Sequence, residues 1–153
     1  MQSTVNTIDI QNYLPHRKPM LMVDSILELT NEKVKTVFEI KADNVFVADD
    51  AFAEVGLIEN AAQTCSSIVG QSFFLDEEDQ VKDGIEVIGF ISGIKKMKVF
   101  ALPQVGSSIT TNAVLHSRFD TDEYCICTMI CSTYCNDILL FEAEINLFIQ
   151  EKR

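Results

Sequence analysis

In this 153-residue chain, residues 55–70 form the one long apolar stretch that does not alternate like a strand. Small side chains (Ala61, Ala62, Cys65, Ser66, Ser67) mix with large ones (Leu57, Ile58, Ile68, Val69) around the whole circumference a helix would have. A helix apolar on nearly all sides has to be buried on nearly all sides, so the rest of the chain must wrap it. Extended to residue 73, the helix would span roughly 28 Å at 1.5 Å per residue. It carries one carboxylate, Glu59, and one turn later an amide, Gln63. A carboxylate inside a buried helix is the first functional suspect.

The wrapping material reads as strands. Val34, Thr36, Phe38 and Ile40 alternate with charged residues, and with an apolar run over residues 20–29 they predict a hairpin turning at residues 30–32. Beyond the helix, residues 85–99, 107–117, 123–134 and 138–149 predict four more strands. The last is the clearest, with Leu139, Phe141, Ala143, Ile145, Leu147 and Ile149 against Glu142, Glu144 and Asn146. Residues 8–14 predict one or two helical turns capped by Thr7 and ended by Pro15. Residues 42–54 read as a connector, residues 76–79 as a charged solvated loop. The order is a short helix, a hairpin, one long helix and four strands. It predicts a single α+β domain over residues 1–153, an antiparallel sheet curled around one central helix.

Composition narrows the function. A formal charge of −11 argues against a nucleic-acid binder, because no phosphate-neutralising surface dominates. No segment reaches the ~18 uninterrupted apolar residues of a membrane span, and no signal-peptide pattern opens the chain; a cytoplasmic location is the expectation. The five cysteines include no CxxC pair, and the even spacing of Cys125, Cys127, Cys131 and Cys135 predicts one strand face of free thiols rather than a metal site. No cofactor or metal is expected.

Several motifs resemble one family. Leu14-Pro15-His16-Arg17-x-Pro19-x-Leu21-x-Val23-Asp24 resembles the N-terminal signature of the FabZ-type (3R)-hydroxyacyl-acyl-carrier-protein dehydratases. Gly93-Ile94-x-Lys96 with Pro103 and Gly106 resembles the family's "GIDKARF…VVPGD" stretch, and Glu142-Ala143-Glu144 its "EAE" strand. The helix resembles "GVLILEAMAQ", with Glu59 and Gln63 at its carboxylate and amide positions. The resemblance implies the hotdog fold, in agreement with the element order, and pairing as a homodimer, as a heterodimer with a sister hotdog subunit, or in a larger assembly. It implies a chemistry in which a loop histidine takes the proton beside a thioester carbonyl, a helix carboxylate assists departure of the 3-hydroxyl, and backbone amides near the helix start polarise the carbonyl. Phe46 and Gly56 are the substrate-binding positions it implies.

The loop histidine is absent: family spacing from Glu59 lands on Val45, which accepts no proton. The run Asp50-Ala51-Phe52-Ala53-Glu54-Val55-Gly56 is similar to a divergent, ApeP-like branch associated with aryl-polyene pathways, which also lacks the loop motif. Losing a positioned base costs a factor of ~10²–10⁴ in rate. Glu59 is then left to work alone, with His16 as a substitute base if the connector folds toward it, or as an inherited feature of a weak or non-catalytic subunit. Gln63 would orient Glu59. His116 reads as solvent-facing. Arg17, Lys18, Lys96 and Lys98, with Lys95 turned the other way, are the cations expected to dock an acidic acyl-carrier protein. Two further readings stand beside dehydration: a hotdog thioesterase in which Glu59 activates water, and a non-enzymatic acyl-thioester binding module.

Overall fold

The computed structural model describes residues 10–152. Six antiparallel strands form the main sheet: β1 (Ser25–Leu29), β2 (Lys33–Glu39), β5 (Val87–Val99), β6 (Ser108–Asp120), β7 (Tyr124–Cys135) and β8 (Ile138–Glu151), in the spatial order β1-β2-β6-β7-β8-β5. A two-stranded ribbon, β3 (Val47–Ala48) and β4 (Ala51–Phe52), leads into the helix α1 (Glu54–Phe74). The helix lies against the sheet's inner face and is buried almost continuously from Gly56 to Gly70, as its composition demands. Ile58, Glu59 and Ser66 are half-buried within that stretch.

The inner face follows from alternation. Val34 and Phe38, Ile109 and Ala113, Cys127 and Met129, and Ile145 and Leu147 join Leu57, Ala61 and Ile68 in one core. Each fully buried Leu, Ile or Phe side chain contributes about 1.5–3 kcal/mol. Polar groups that enter the core are paired: Thr36 with Thr64 at 2.7 Å, and Thr111 with Thr133 at 2.8 Å and with Asn60 at 2.7 Å.

Several boundaries differ from expectation. The apolar run at residues 20–23 belongs to no strand, Met20 closing a turn from Arg17; β1 begins only at Ser25. The helical turn before Pro15 is a single 3-10 turn, Ile10–Asn12, and Thr7 lies outside the described residues. The 42–54 connector contains the β3–β4 hairpin, turned by Asp49 (φ 51°) and Asp50 (φ 60°). Two successive positive φ values make the tight hairpin turn that matches strand twist, and aspartate tolerates that region. β6 runs on to Asp120 through a bulge at His116, which is exposed; past it, Arg118 lies opposite Cys127 and Asp120 opposite Cys125, on the inner side. Cys125, Cys127 and Cys131 are buried free thiols, while Cys135, beyond a register irregularity, is half-buried.

Candidate functional site

Two amides of α1, Asn60 and Gln63, bind the backbone of residues 20–22 in place of a strand partner. Gln63 accepts the Met22 N–H at Oε1 (2.7 Å) and donates from Nε2 to the Met20 carbonyl (2.8 Å) and to Glu59 Oε1 (2.8 Å). Asn60 donates from Nδ2 to the Met22 carbonyl at 2.7 Å. Helix side chains thus satisfy the Met20 carbonyl and both Met22 groups, and the Arg17 carbonyl takes the Met20 and Leu21 N–H, with no neighbouring strand involved. Gln63 is buried, and its amide nitrogen and its carbonyl oxygen are both engaged, so the amide that holds Glu59 Oε1 is itself anchored.

This docking carries the basic connector across the helix. His16 Nε2 lies 3.9 Å from Glu59 Oε1. That separation is too long for a hydrogen bond, yet short enough for one substrate atom to touch both groups. Such contacts are often long in ligand-free sites. Both side chains line a cavity of about 190 Å³ with Gln63 and Ser66; Phe90, Ile91 and Leu147 close its apolar side. Burial pushes the His16 imidazole below its ordinary pKa; the Glu59 carboxylate opposes that shift and the Arg17 guanidinium reinforces it. His16 Nδ1 is buried with no hydrogen-bond partner among the described residues, which also favours a neutral ring. A neutral imidazole facing a carboxylate in a partly apolar cavity can take a proton from carbon and exchange one with an oxygen leaving group.

The remaining candidates lie elsewhere. Val45 is 50% exposed and lines a different groove of about 280 Å³, with Lys18, Leu21 and Phe38. Its neighbour Asn44 accepts the Phe46 N–H at 2.8 Å and so shapes the turn. Phe46 packs half-buried against the core, and its carbonyl accepts the Ala53 N–H. Gly56 gives its N–H to the Ala53 carbonyl, and the Phe52 ring fills the place of its missing β-carbon. Neither Phe46 nor Gly56 lines the His16–Glu59 cavity. Arg17 is folded back onto backbone carbonyls of its own connector. Lys96 and Lys98 are exposed on β5, opposite Glu144 and Glu142 of β8, along a groove of about 580 Å³ that holds no histidine or thiol. A bulge at Lys95 interrupts the strand beside them.

The sequence reading missed Asn60, Ser66 and the β5 residues Phe90 and Ile91. Glu59, Gln63 and Ser66 share one helix face by their spacing, a signal that was available. Among the described residues no cluster of three or more His, Cys, Asp or Glu is placed to hold a metal ion, and no helix is long and apolar enough to cross a membrane.

Comparison with known proteins points in one direction. The chain is 26% identical over 150 residues to the bifunctional enzyme LpxC/FabZ of Chlorobaculum tepidum, covering 94% of this chain and 30% of that two-function enzyme. It is 28% identical over 118 residues to the 3-hydroxyacyl-[acyl-carrier-protein] dehydratase FabZ of Coxiella burnetii, covering 71% of this chain and 74% of the relative. Its fold superposes on the dehydratase heterocomplex ApeI:P from Xenorhabdus doucetiae with a TM-score of 0.76 at 16% identity, covering 95% of this chain and 92% of that one. The helix wrapped by one antiparallel sheet is the hotdog fold. The family described as ApeP-like, ApeP dehydratase, matches residues 8–152, a span that takes in the His16 connector, the Glu59 helix and all six strands of the main sheet, and the chain belongs to that family.

Proposed function

We propose that this chain removes water from a 3-hydroxyacyl thioester carried on an acyl-carrier protein, with His16 in place of the loop histidine. The observation that carries the proposal is the 3.9 Å approach of His16 Nε2 to Glu59 Oε1 inside one cavity. Neutral His16 takes the proton from the carbon beside the thioester carbonyl. Glu59 acts as the acid that delivers a proton to the 3-hydroxyl as the carbon–oxygen bond breaks, so water and the enoyl thioester leave together. The proton on His16 then returns to Glu59, which restores the pair. Gln63 keeps Glu59 oriented throughout.

We further place the chain in a dimer, with itself or with a sister hotdog subunit. Among the described residues β5 is a 13-residue edge strand paired only with β8, and it exposes Ile88, Phe90, Ile94 and Met97. A long edge of this kind invites strand addition. Lys18, Lys96 and Lys98 are the exposed cations proposed to meet the acidic carrier. Five free cysteines among the described residues fit a reducing cytoplasm.

The test supplies 3-hydroxyacyl carrier thioester to the full chain, alone and with a sister dehydratase, and follows enoyl product and free carrier thiol together. Glu59→Gln and His16→Ala are each expected to lower enoyl formation by ~10²–10⁴. Thiol release without enoyl product would make the chain a thioesterase. Neither product, with the sister subunit present, would leave a binding module.

A further inference from the structure

Arg17 has the chemistry of a docking cation, but its contacts run the other way. Nη1 donates to the Leu14 carbonyl and to the His16 carbonyl, both at 2.8 Å, and Nη2 reaches the Gln11 carbonyl at 3.4 Å. The Arg17 carbonyl in turn accepts the Met20 N–H at 3.0 Å and the Leu21 N–H at 3.1 Å. One residue therefore holds the chain before His16 and the chain after it. The exit of this loop is pinned by Gln63 at Met20 and Met22, and its entry passes with the Tyr13 carbonyl against Gly70. Bridging three carbonyls suits a planar guanidinium fork; a lysine ammonium at the same place is a single point charge on a flexible stem.

We propose that Arg17 is a positioning residue of the site, holding the His16 backbone so that the imidazole faces Glu59. Its effect on rate rests on the dehydration reading above; its effect on the His16 ring does not. The charged groups around that ring are few. Helix α1 presents Glu59, the connector presents Arg17, and β5 and β8 present Gly89, Phe90, Ile91 and Leu147, none of them charged. Arg17 also disfavours a proton on His16. Removing its charge should raise the pH at which the ring titrates.

The experiment compares Arg17→Gln and Arg17→Lys with the native chain in two independent measurements. Steady-state dehydration of the carrier thioester is expected to show kcat lowered roughly 10- to 100-fold in both variants, the scale of a misplaced catalytic group, with KM unchanged and no rescue by lysine. NMR of the imidazole protons is expected to show His16 signals moved in both variants and its titration raised in Arg17→Gln. The signals of His116, exposed on β6, report that each variant is folded. The proposal is overturned if KM rises at constant kcat, Arg17→Lys behaves as native and the His16 signals stay put, the result a docking cation gives. Were the native chain to form no enoyl product, the dehydration reading would fall and the NMR arm would decide alone: unmoved His16 signals overturn the role of Arg17, moved signals support it.

Discussion

The carbonyl oxygen of Tyr13 occupies the space in which Gly70 would carry a β-carbon. Glycine inside a helix is costly by its own propensity, roughly 0.5–1 kcal/mol relative to alanine, so the position calls for a reason. The reason is a backbone crossing at contact distance, three residues before His16. Gly70→Ala is therefore expected to destabilise the chain by about 1–3 kcal/mol through overpacking and to lower turnover by displacing the connector. Urea midpoints and enoyl formation check both; a gain in stability, as propensity alone would give, sinks the idea.

Gln63 joins three things at once: the Met20 carbonyl, the Met22 N–H and the Glu59 carboxylate. Gln63→Leu leaves the Met22 N–H without its partner, a loss of roughly 1–3 kcal/mol for a buried group. Gln63→Glu keeps the shape but supplies no N–H to Met20 or Glu59 and sets a second carboxylate beside the first. Both variants are expected to lower the urea midpoint and the rate, and Gln63→Glu to lose less at acid pH, where carboxylates share protons. Equal loss at every pH would contradict this.

The depressed pKa of His16 gives pH dependences of definite sign. Below the ordinary value of 6.5 and above the folded-state value, the unfolded chain binds the extra proton and the folded chain does not. The contribution to stability is thus complete above 6.5 and is lost as pH falls through the folded-state value. The acid limb of kcat/KM, set by the free protein's base, is expected below 6.5 as well. Urea unfolding and rate profiles between pH 5 and 7.5 measure both, and His16→Gln should flatten the acid limb.

Thiol chemistry should follow burial. Burial pushes the Cys65 thiol well up, with Cys131 and Cys127 adding to the shift. Cys135 is half-buried, and the other four cysteines are buried. A thiol reagent applied to the native chain is expected to modify Cys135 first and the other four only with unfolding. Rapid labelling of Cys65 in the native chain would contradict the packing of α1 on β7.

The sheet and helix were legible because each has a strong period. β8 alternates from Phe141 to Ile149, after a break at the consecutive buried pair Leu140 and Phe141, and α1 is apolar nearly all round, so burial dictated both. The candidate site was half legible. Glu59 and Gln63 stood out as polar groups in an apolar helix, but the course of the connector did not, because it depends on Asn60 and Gln63 side chains some 40 residues away in sequence. The apolar run at residues 20–23 looked like a strand because periodicity reports burial and is silent about which groups satisfy the backbone. Arg118 and Asp120 turned inward through a bulge at His116 that leaves no mark in the pattern. The even spacing of the cysteines held as far as Cys131 and lapsed at the irregularity before Cys135.

The way residues 13–22 are held has a thermal consequence. The strap gives Leu14 and Met22 to the core that the sheet and α1 share, but its backbone is fastened by only a few side-chain hydrogen bonds and one glycine gap. Partial openings that release only the strap cost less free energy than unfolding the core. The Met22 amide should therefore exchange its hydrogen sooner than the amides of β7 and β8, and warming should silence the site while the sheet is still intact.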